Sequence, residues 1–256
     1  ASWEIDAVRL GAVEAGDGLR LSGRKLFVSD AGAANLIVTV ARLGDGIALA
    51  VVEAKSPGVT MSLMPSLDAS RQLYEVRFDN VAVPRGNILA TGEAARSAIE
   101  YGLDSATLAI SAEMVGGMQR VLEAAVEYAK TRKQFGKPIG QFQAIQHHCA
   151  NMLLLTESAR SAVYYAAWAM GNEPARAPLA VSVAKAYASD AYRDVGNLGI
   201  QVHGGIGFTW DEDIHFYYKR AKASEVMFGD ASFHRERIAR LIVDAGEARR
   251  ARRSAD

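Results

Sequence analysis

The sequence changes character once, at Gly92, and this change limits the folds that the chain can adopt. Before Gly92, short β-rich runs are separated by turn signals such as Gly-Asp-Gly and Pro-Gly. After it, helical periodicity continues with few interruptions. The sequence therefore predicts an α+β protein with two domains, a β-domain over residues 1–92 and a helical domain over residues 93–256.

The β-domain is predicted from four runs, over residues 19–23, 36–41, 47–52 and 74–78. The last of these, Tyr-Glu-Val-Arg-Phe, alternates strictly between apolar and polar residues. Turn signals that recur about every ten residues favour a small antiparallel β-barrel or sandwich. No helical periodicity of ten residues appears before Glu93.

In the helical domain, helices are predicted over residues 93–130, 141–170, 177–202, 213–222 and 232–249. Long helices with short joints favour an antiparallel bundle of the four-helix type. Apolar residues over 153–155 and 163–168 surround the second helix instead of forming one stripe. This pattern predicts a dimer or tetramer, formed from like or unlike chains through the helical domain.

Charge and composition exclude several classes of function. The net charge is zero at pH 7, so no overall field attracts nucleic acid, and we predict no nucleic-acid partner. No apolar run approaches the roughly 20 residues of a membrane span. Cys149 is the only cysteine, which is typical of a reducing cytoplasm, so a cytoplasmic protein is predicted. No metal-ligand spacing is present, and no metal site is predicted.

Two segments carry chemistry. Residues 132–140 read Arg-Lys-Gln-Phe-Gly-Lys-Pro-Ile-Gly and join two predicted helices. A guanidinium can bind a phosphate through two hydrogen bonds, and a helix N-terminus favours an anion. Residues 201–208 read Gln-Val-His-Gly-Gly-Ile-Gly-Phe and close the third helix, where paired glycines allow a ligand to approach the backbone. Either segment alone is also typical of a helix cap and a turn.

Together, the two segments resemble the acyl-CoA dehydrogenase family. The shared pattern is Arg-Lys-x-Phe-Gly-x-Pro-Ile-x-x-x-Gln, followed on an all-helical domain by Gln-x-x-Gly-Gly-x-Gly-Phe. Residues 21–29 and 78–84 resemble the family's middle β-domain, and the resemblance extends over residues 1–245. It implies FAD as the cofactor. It also implies that the family's N-terminal helical domain is absent from this sequence.

The resemblance assigns the cofactor contacts residue by residue. Phe27 and Ser29 would lie beside the isoalloxazine ring. The pyrophosphate and adenosine half of an FAD seated mainly in a neighbouring subunit would contact Arg132, Gln134, Phe135, Gln143, Gln201, Gly204 and Gly205.

The catalytic glutamate of the family is missing from both of its usual positions. A carboxylate would remove the α-proton of the acyl thioester. One position holds Phe228 and the other holds Ala106. A relocated base would have to come from another carboxylate, of which Asp104 and Asp230 are the candidates.

Residues 203–213 resemble an actinobacterial branch in which two unlike subunits pair, one of them without the base. The resemblance therefore implies a dehydrogenase subunit that acts on fatty acyl or steroid side-chain CoA thioesters and yields 2-enoyl-CoA. An electron-transferring flavoprotein or a similar acceptor would be a partner. The alternatives are a non-catalytic ligand-binding or structural homologue, and a homo-oligomeric dehydrogenase with a relocated base.

Overall fold

The computed structural model describes residues 3–253, with side chains described through residue 243. The predicted α+β class is confirmed. The strands are β1 (Gly11–Ala15), β2 (Gly18–Ser29), β3 (Leu36–Leu43), β4 (Gly46–Glu53), β5 (Val59–Met64), β6 (Leu73–Val83), β7 (Ile88–Thr91), β8 (Lys133–Gln134) and β9 (Lys137–Pro138). The helices are α1 (Gly92–Thr131), α2 (Gln143–Asn172), α3 (Ala177–His203), α4 (Ile214–Val226) and α5 (Ala231–Arg253).

Within the described residues, seven strands form one sheet in the order β5-β6-β2-β1-β3-β4-β7. All four predicted runs lie inside observed strands, in β2, β3, β4 and β6. β1, β5 and β7 were not predicted because they are short and much of their side-chain surface is exposed, which weakens the alternation of apolar and polar residues.

The prediction of a purely antiparallel domain is wrong at one pairing. β1 and β3 run parallel, with Gly11 opposite Arg42 and Ala12 opposite Leu43. β2 is antiparallel to β1 and also pairs with β6, so both of its edges are occupied. The next strand, β3, therefore pairs with the free edge of β1. It runs in the same direction as β1 because the chain reverses after β1 and again after β2. The sheet ends at β5 and β7 in this part of the chain, and a barrel is not confirmed.

Two clusters of buried side chains lie in the sheet unit, and other side chains of the strands are exposed. One face carries the larger core, which includes Leu21, Val76 and Val81. A second, smaller core forms where Ala95 and Ile99, in the first turns of α1, pack against side chains of the sheet unit. The first compact unit therefore extends through Leu103, inside α1. The predicted domain boundary at residue 92 stays a prediction.

The second compact unit begins at Asp104 and is built around α3, on which α2, α4 and α5 all pack. Two glycines allow α1 and α3 to approach closely. A Cβ on Gly117 would lie 2.2 Å from the Tyr192 hydroxyl oxygen, and one on Gly199 would lie 2.5 Å from Val121 Cγ1. The predicted helices are all present, whereas a four-helix arrangement is not confirmed. No helix of the described chain is long and apolar enough to cross a membrane.

Candidate functional site

A cleft of about 720 Å³ opens on the helical unit where the end of α1, the start of α2 and the end of α3 meet. Five of the predicted cofactor residues line it, namely Arg132, Gln134, Phe135, Gly204 and Gly205. The fold thus brings together two segments that are separated by about 70 residues in the sequence. The rest of the lining is formed by Tyr128, Ile139, Phe142, Ala144, Ile145, Val202, His203 and Ile206.

The first segment forms a tight hairpin from β8 and β9. Its two turn residues, Phe135 and Gly136, have φ of 51° and 78°, and positive φ at both central residues is typical of a type I′ turn. The Ile139 amide donates to the Arg132 carbonyl at 2.8 Å and closes the hairpin. Phe135 is 91% exposed and meets Phe142 edge to face, with ring centroids 6.1 Å apart. The turn therefore holds an aromatic ring at the mouth of the cleft.

Arg132 is the cation of the cleft. Its guanidinium is exposed and makes no ion pair or hydrogen bond with another residue in the described part of the chain. Other arginines of the helical unit, such as Arg193 and Arg237, are paired with carboxylates. An unpaired guanidinium at the edge of a cleft is available to an anionic group.

The second segment supplies open backbone. α3 ends at His203, and the next residue, Gly204, has φ of 68°. A Cβ at Gly204 or at Gly205 would meet no atom within 4 Å, so a ligand can approach the main chain here. Gln143 and Gln201 do not line the cleft; they are exposed in the first turn of α2 and the last turn of α3.

Phe27 and Ser29 lie at the end of β2 in the sheet unit. β2 and β6 lose register between Lys25 and Val28, which marks a bulge. Phe27 has φ of 58° and is 45% exposed, and Ser29 is also exposed. A bulge reorients the side chains that it carries, and this one leaves an aromatic ring and a hydroxyl accessible on the sheet unit.

The turn between α4 and α5 carries Phe228, one of the two positions at which the sequence pattern predicts that the glutamate is missing. Phe228 and Gly229 have φ of 56° and 100°. Beneath the turn, the fully buried Lys185 ammonium donates to the carbonyl oxygens of Glu225 at 2.9 Å and Gly229 at 2.7 Å, and to Ser189 Oγ at 3.1 Å. Burial lowers the pKa of Lys185 to about 8.

His234 holds the same turn from α5. It is 1% exposed, and its Nε2 lies 3.0 Å from the Phe228 carbonyl oxygen. A carbonyl only accepts, so Nε2 carries the proton of the neutral ring. Nδ1 is buried without a hydrogen-bond partner. Burial, followed by the charge of Lys185, lowers the pKa of His234 to about 4. The turn is therefore fixed by one buried cation and one buried neutral imidazole.

Ala106, the other position predicted to lack the glutamate, lies in α1 and is half-buried. The two carboxylates considered as a relocated base are both hydrogen-bonded within the protein. Arg237 donates to both carboxylate oxygens of the buried Asp104. Asp230 accepts from the Phe233 amide at 2.8 Å, so it caps the N-terminus of α5. No group of three or more His, Cys, Asp or Glu side chains in the described residues is placed to hold a metal ion.

Sequence reasoning missed the rest of the cleft wall. Ile139 and Ile145 lie beside predicted residues, but an apolar residue there is indistinguishable from one that packs in a core. His203 stacks on Tyr128 with ring centroids 4.4 Å apart. Because His203 directly precedes Gly204, the motif could have indicated that His203 lines the cleft. No local signal marks Tyr128, which lies 75 residues earlier in the chain.

Residues 96–243 match the family described as the C-terminal domain of acyl-CoA dehydrogenases. Among curated proteins, the chain is 33% identical over 233 residues to acryloyl-CoA reductase (NADH) of Anaerotignum propionicum, covering 87% of this chain and 58% of that protein. The chain spans 58 to 65% of the length of this relative and two acyl-CoA dehydrogenases of Bacillus subtilis.

Two solved structures extend the similarity to the fold. A glutaryl-coenzyme A dehydrogenase in complex with glutaryl-CoA has a TM-score of 0.88 and 30% identity, over 93% of this chain and 62% of that one. A variant of the Tcur3481-Tcur3483 steroid ACAD has a TM-score of 0.84 and 30% identity, over 94% of this chain and 64% of that one.

The buried imidazole of His234 makes stability depend on pH. The unfolded chain binds this proton near pH 6.5, whereas the folded chain binds it only near pH 4. The free energy of unfolding should therefore fall as the pH drops from 6.5 through 4, by about 3 kcal/mol from this group, since one pKa unit corresponds to about 1.4 kcal/mol. Urea unfolding at several pH values measures it.

The matched variants are His234→Asn and, as a control, His147→Asn at an exposed histidine on α2. The first should flatten the pH dependence between 6.5 and 4, and the second should leave it as in the original chain. Equal slopes in all three proteins would show that His234 is not the group responsible.

Proposed function

Because the chain belongs to the acyl-CoA dehydrogenase family, we propose that it is a subunit of an FAD-dependent acyl-CoA dehydrogenase that completes a partner chain's FAD site without supplying the catalytic base. The observation that carries this proposal is the unpaired guanidinium of Arg132, which lies in the same cleft as the open backbone of Gly204 and Gly205.

The residues of the cleft fit the ADP half of FAD. Arg132 would bind the pyrophosphate through charge-assisted hydrogen bonds. Gly204 and Gly205 would allow the phosphates to approach the main chain, because no Cβ obstructs them. The apolar side chains of Ile139 and Ile145 would cover the adenine. When bound, FAD supplies the acceptor for the hydride that leaves the β-carbon of the thioester.

The remaining predicted contacts fit this arrangement. Gln143 and Gln201 lie in helix turns next to the cleft and would contact its rim, as would Gln134 and the exposed ring of Phe135. On the sheet unit, Phe27 and Ser29 are accessible and would face an isoalloxazine ring, where the Ser29 hydroxyl can donate a hydrogen bond.

The base is the part of the site that this chain would not supply. Lys185 and His234 hydrogen-bond to carbonyls of the turn around Phe228, yet a phenyl ring cannot accept a proton. Asp104 and Asp230 are engaged by Arg237 and by the N-terminus of α5, so moving either towards a substrate would break these contacts. We therefore assign the carboxylate that removes the α-proton to a partner chain. The name of the Tcur3481-Tcur3483 relative, which joins two proteins, supports an assembly of unlike chains.

The helical unit offers a surface for this assembly. Large apolar side chains are exposed on α2, and they are Leu153, Leu154, Tyr164, Tyr165 and Trp168. Their burial against another chain would be favourable. The proposed substrate is a fatty acyl or steroid side-chain CoA thioester, oxidised to the 2-enoyl-CoA, with an electron-transferring flavoprotein or a similar acceptor as the partner that removes the electrons.

A second candidate function follows from the missing base. A homologue without Glu at position 228 could bind its ligand and catalyse nothing. Purified protein separates the two proposals, because the dehydrogenase assembly is yellow with bound flavin and depends on a partner for turnover. A homo-oligomeric enzyme with a relocated base would instead turn over acyl-CoA on its own.

We expect Arg132→Ala to weaken the binding of FAD to the assembled protein by about ten- to a hundredfold, because a charge-assisted hydrogen bond contributes about 1.5–3 kcal/mol. Flavin retained after gel filtration, measured by absorbance, tests this. The control is Arg120→Ala, at an exposed arginine of α1 that does not line the cleft. Unchanged flavin content in Arg132→Ala would contradict the assignment.

We also expect the purified chain, reconstituted with FAD, to be inactive towards acyl-CoA. General-base catalysis contributes about 10²–10⁴-fold to such a proton transfer, and Phe228 and Ala106 provide none. Anaerobic bleaching of the flavin absorbance by a panel of acyl-CoA thioesters measures this. Rapid bleaching by the chain alone, lost in Asp230→Asn, would show instead that the base has moved.

A further inference from the structure

His203 is a cleft residue for which neither the sequence pattern nor the proposed phosphate contacts give a role. It is the last residue of α3 and is 6% exposed. Its ring stacks on Tyr128 at an interplanar angle of 25°, with the centroids 4.4 Å apart. Both rings line the cleft. The imidazole is thus held in one orientation by a neighbouring helix.

The hydrogen bond at the other side of the ring fixes the tautomer. Nδ1 lies 2.8 Å from the Gly199 carbonyl oxygen. Because a carbonyl can only accept, Nδ1 carries the hydrogen, and Nε2 of the neutral ring is left as an acceptor. In the described residues Nε2 has no hydrogen-bond partner. Because His203 lines the cleft, Nε2 is the acceptor that its ring can offer to a ligand there.

The surroundings indicate which donor fits. The wall near the end of α3 is apolar and includes Ile139, Ile145 and Val202. Such a wall suits a flat heterocycle better than a sugar, whose hydroxyls would lose water there without replacement. A base that presents an N–H towards Nε2 gains a hydrogen bond. A base that presents a carbonyl at the same place brings two acceptors together, which is unfavourable.

We propose that His203 selects the adenine base of the bound nucleotide, by accepting a hydrogen bond from the exocyclic amine at Nε2. This inference rests on the proposed function, since it requires that the cleft hold the ADP half of FAD. It assigns Tyr128 the role of a positioning residue, which keeps the imidazole in place by stacking. Hypoxanthine has a carbonyl in place of that amine and a hydrogen on N1, so at the position of the amine it presents an acceptor instead of a donor and is the discriminating base.

The test compares the binding of ADP and IDP to the purified full chain by isothermal titration calorimetry. We expect ADP to bind about tenfold more tightly than IDP, the effect of one hydrogen bond gained or lost at a buried acceptor. His203→Phe keeps an aromatic ring for the stack and removes the acceptor, so it should bring the ratio close to one. Tyr128→Phe keeps the stack and should retain the preference for ADP.

His203→Gln provides a second variant if the phenylalanine protein does not fold, because its carboxamide oxygen can replace Nε2 and should retain part of the preference. An ADP-to-IDP ratio that is the same in the original chain and in His203→Phe would overturn the inference, and so would a ratio near one in the original chain. Failure of the proposed function is distinct: neither nucleotide would bind, and Arg132→Ala would change nothing.

Discussion

The buried ammonium of Lys185 is the interaction on which the arrangement of the helical unit depends. It lies in the first half of α3, the helix that contacts α2, α4 and α5. It donates to the carbonyl oxygen of Glu225 in the last turn of α4 and to that of Gly229 in the turn that carries Phe228. A buried charge is tolerated only where its hydrogen bonds are satisfied. Through these hydrogen bonds, Lys185 joins α3 to the last turn of α4 and to the turn that follows it, while the C-terminal end of α3 at His203 lines the cleft.

This arrangement keeps the two parts of the proposed function separate. The cleft depends on a guanidinium, an open backbone and an apolar wall, and all three are present in the chain. In the proposed function, proton abstraction requires a carboxylate, and the turn at which the sequence pattern predicts it carries Phe228. The hydrogen bonds that hold this turn do not depend on its side chains, because Lys185 and His234 bind backbone carbonyls that any residue provides. The proposed subunit would therefore lack the base and still bind the cofactor.

The sequence predicted the elements well where their periodicity is long. All five predicted helices and all four predicted strand runs are present, because their apolar patterns can be read from the local sequence. It failed at β1, whose parallel pairing with β3 depends on which sheet edge is free and not on local residues. In the site, the motif predicted Arg132 and Gly204, whereas Tyr128 and His203 meet only through tertiary stacking. The engagement of Asp104 by Arg237, 133 residues later, is equally invisible in the sequence.

The most direct test of the account is the flavin content per chain of the protein purified from its native host. If this chain completes a partner's FAD site, a second, unlike chain should co-purify with it, and the assembly should contain one FAD for each pair of chains. Quantitative amino-acid analysis with flavin absorbance gives this ratio, and mass spectrometry identifies the chains. An assembly of this chain alone with one FAD on every chain, or an assembly without any flavin, would contradict the account.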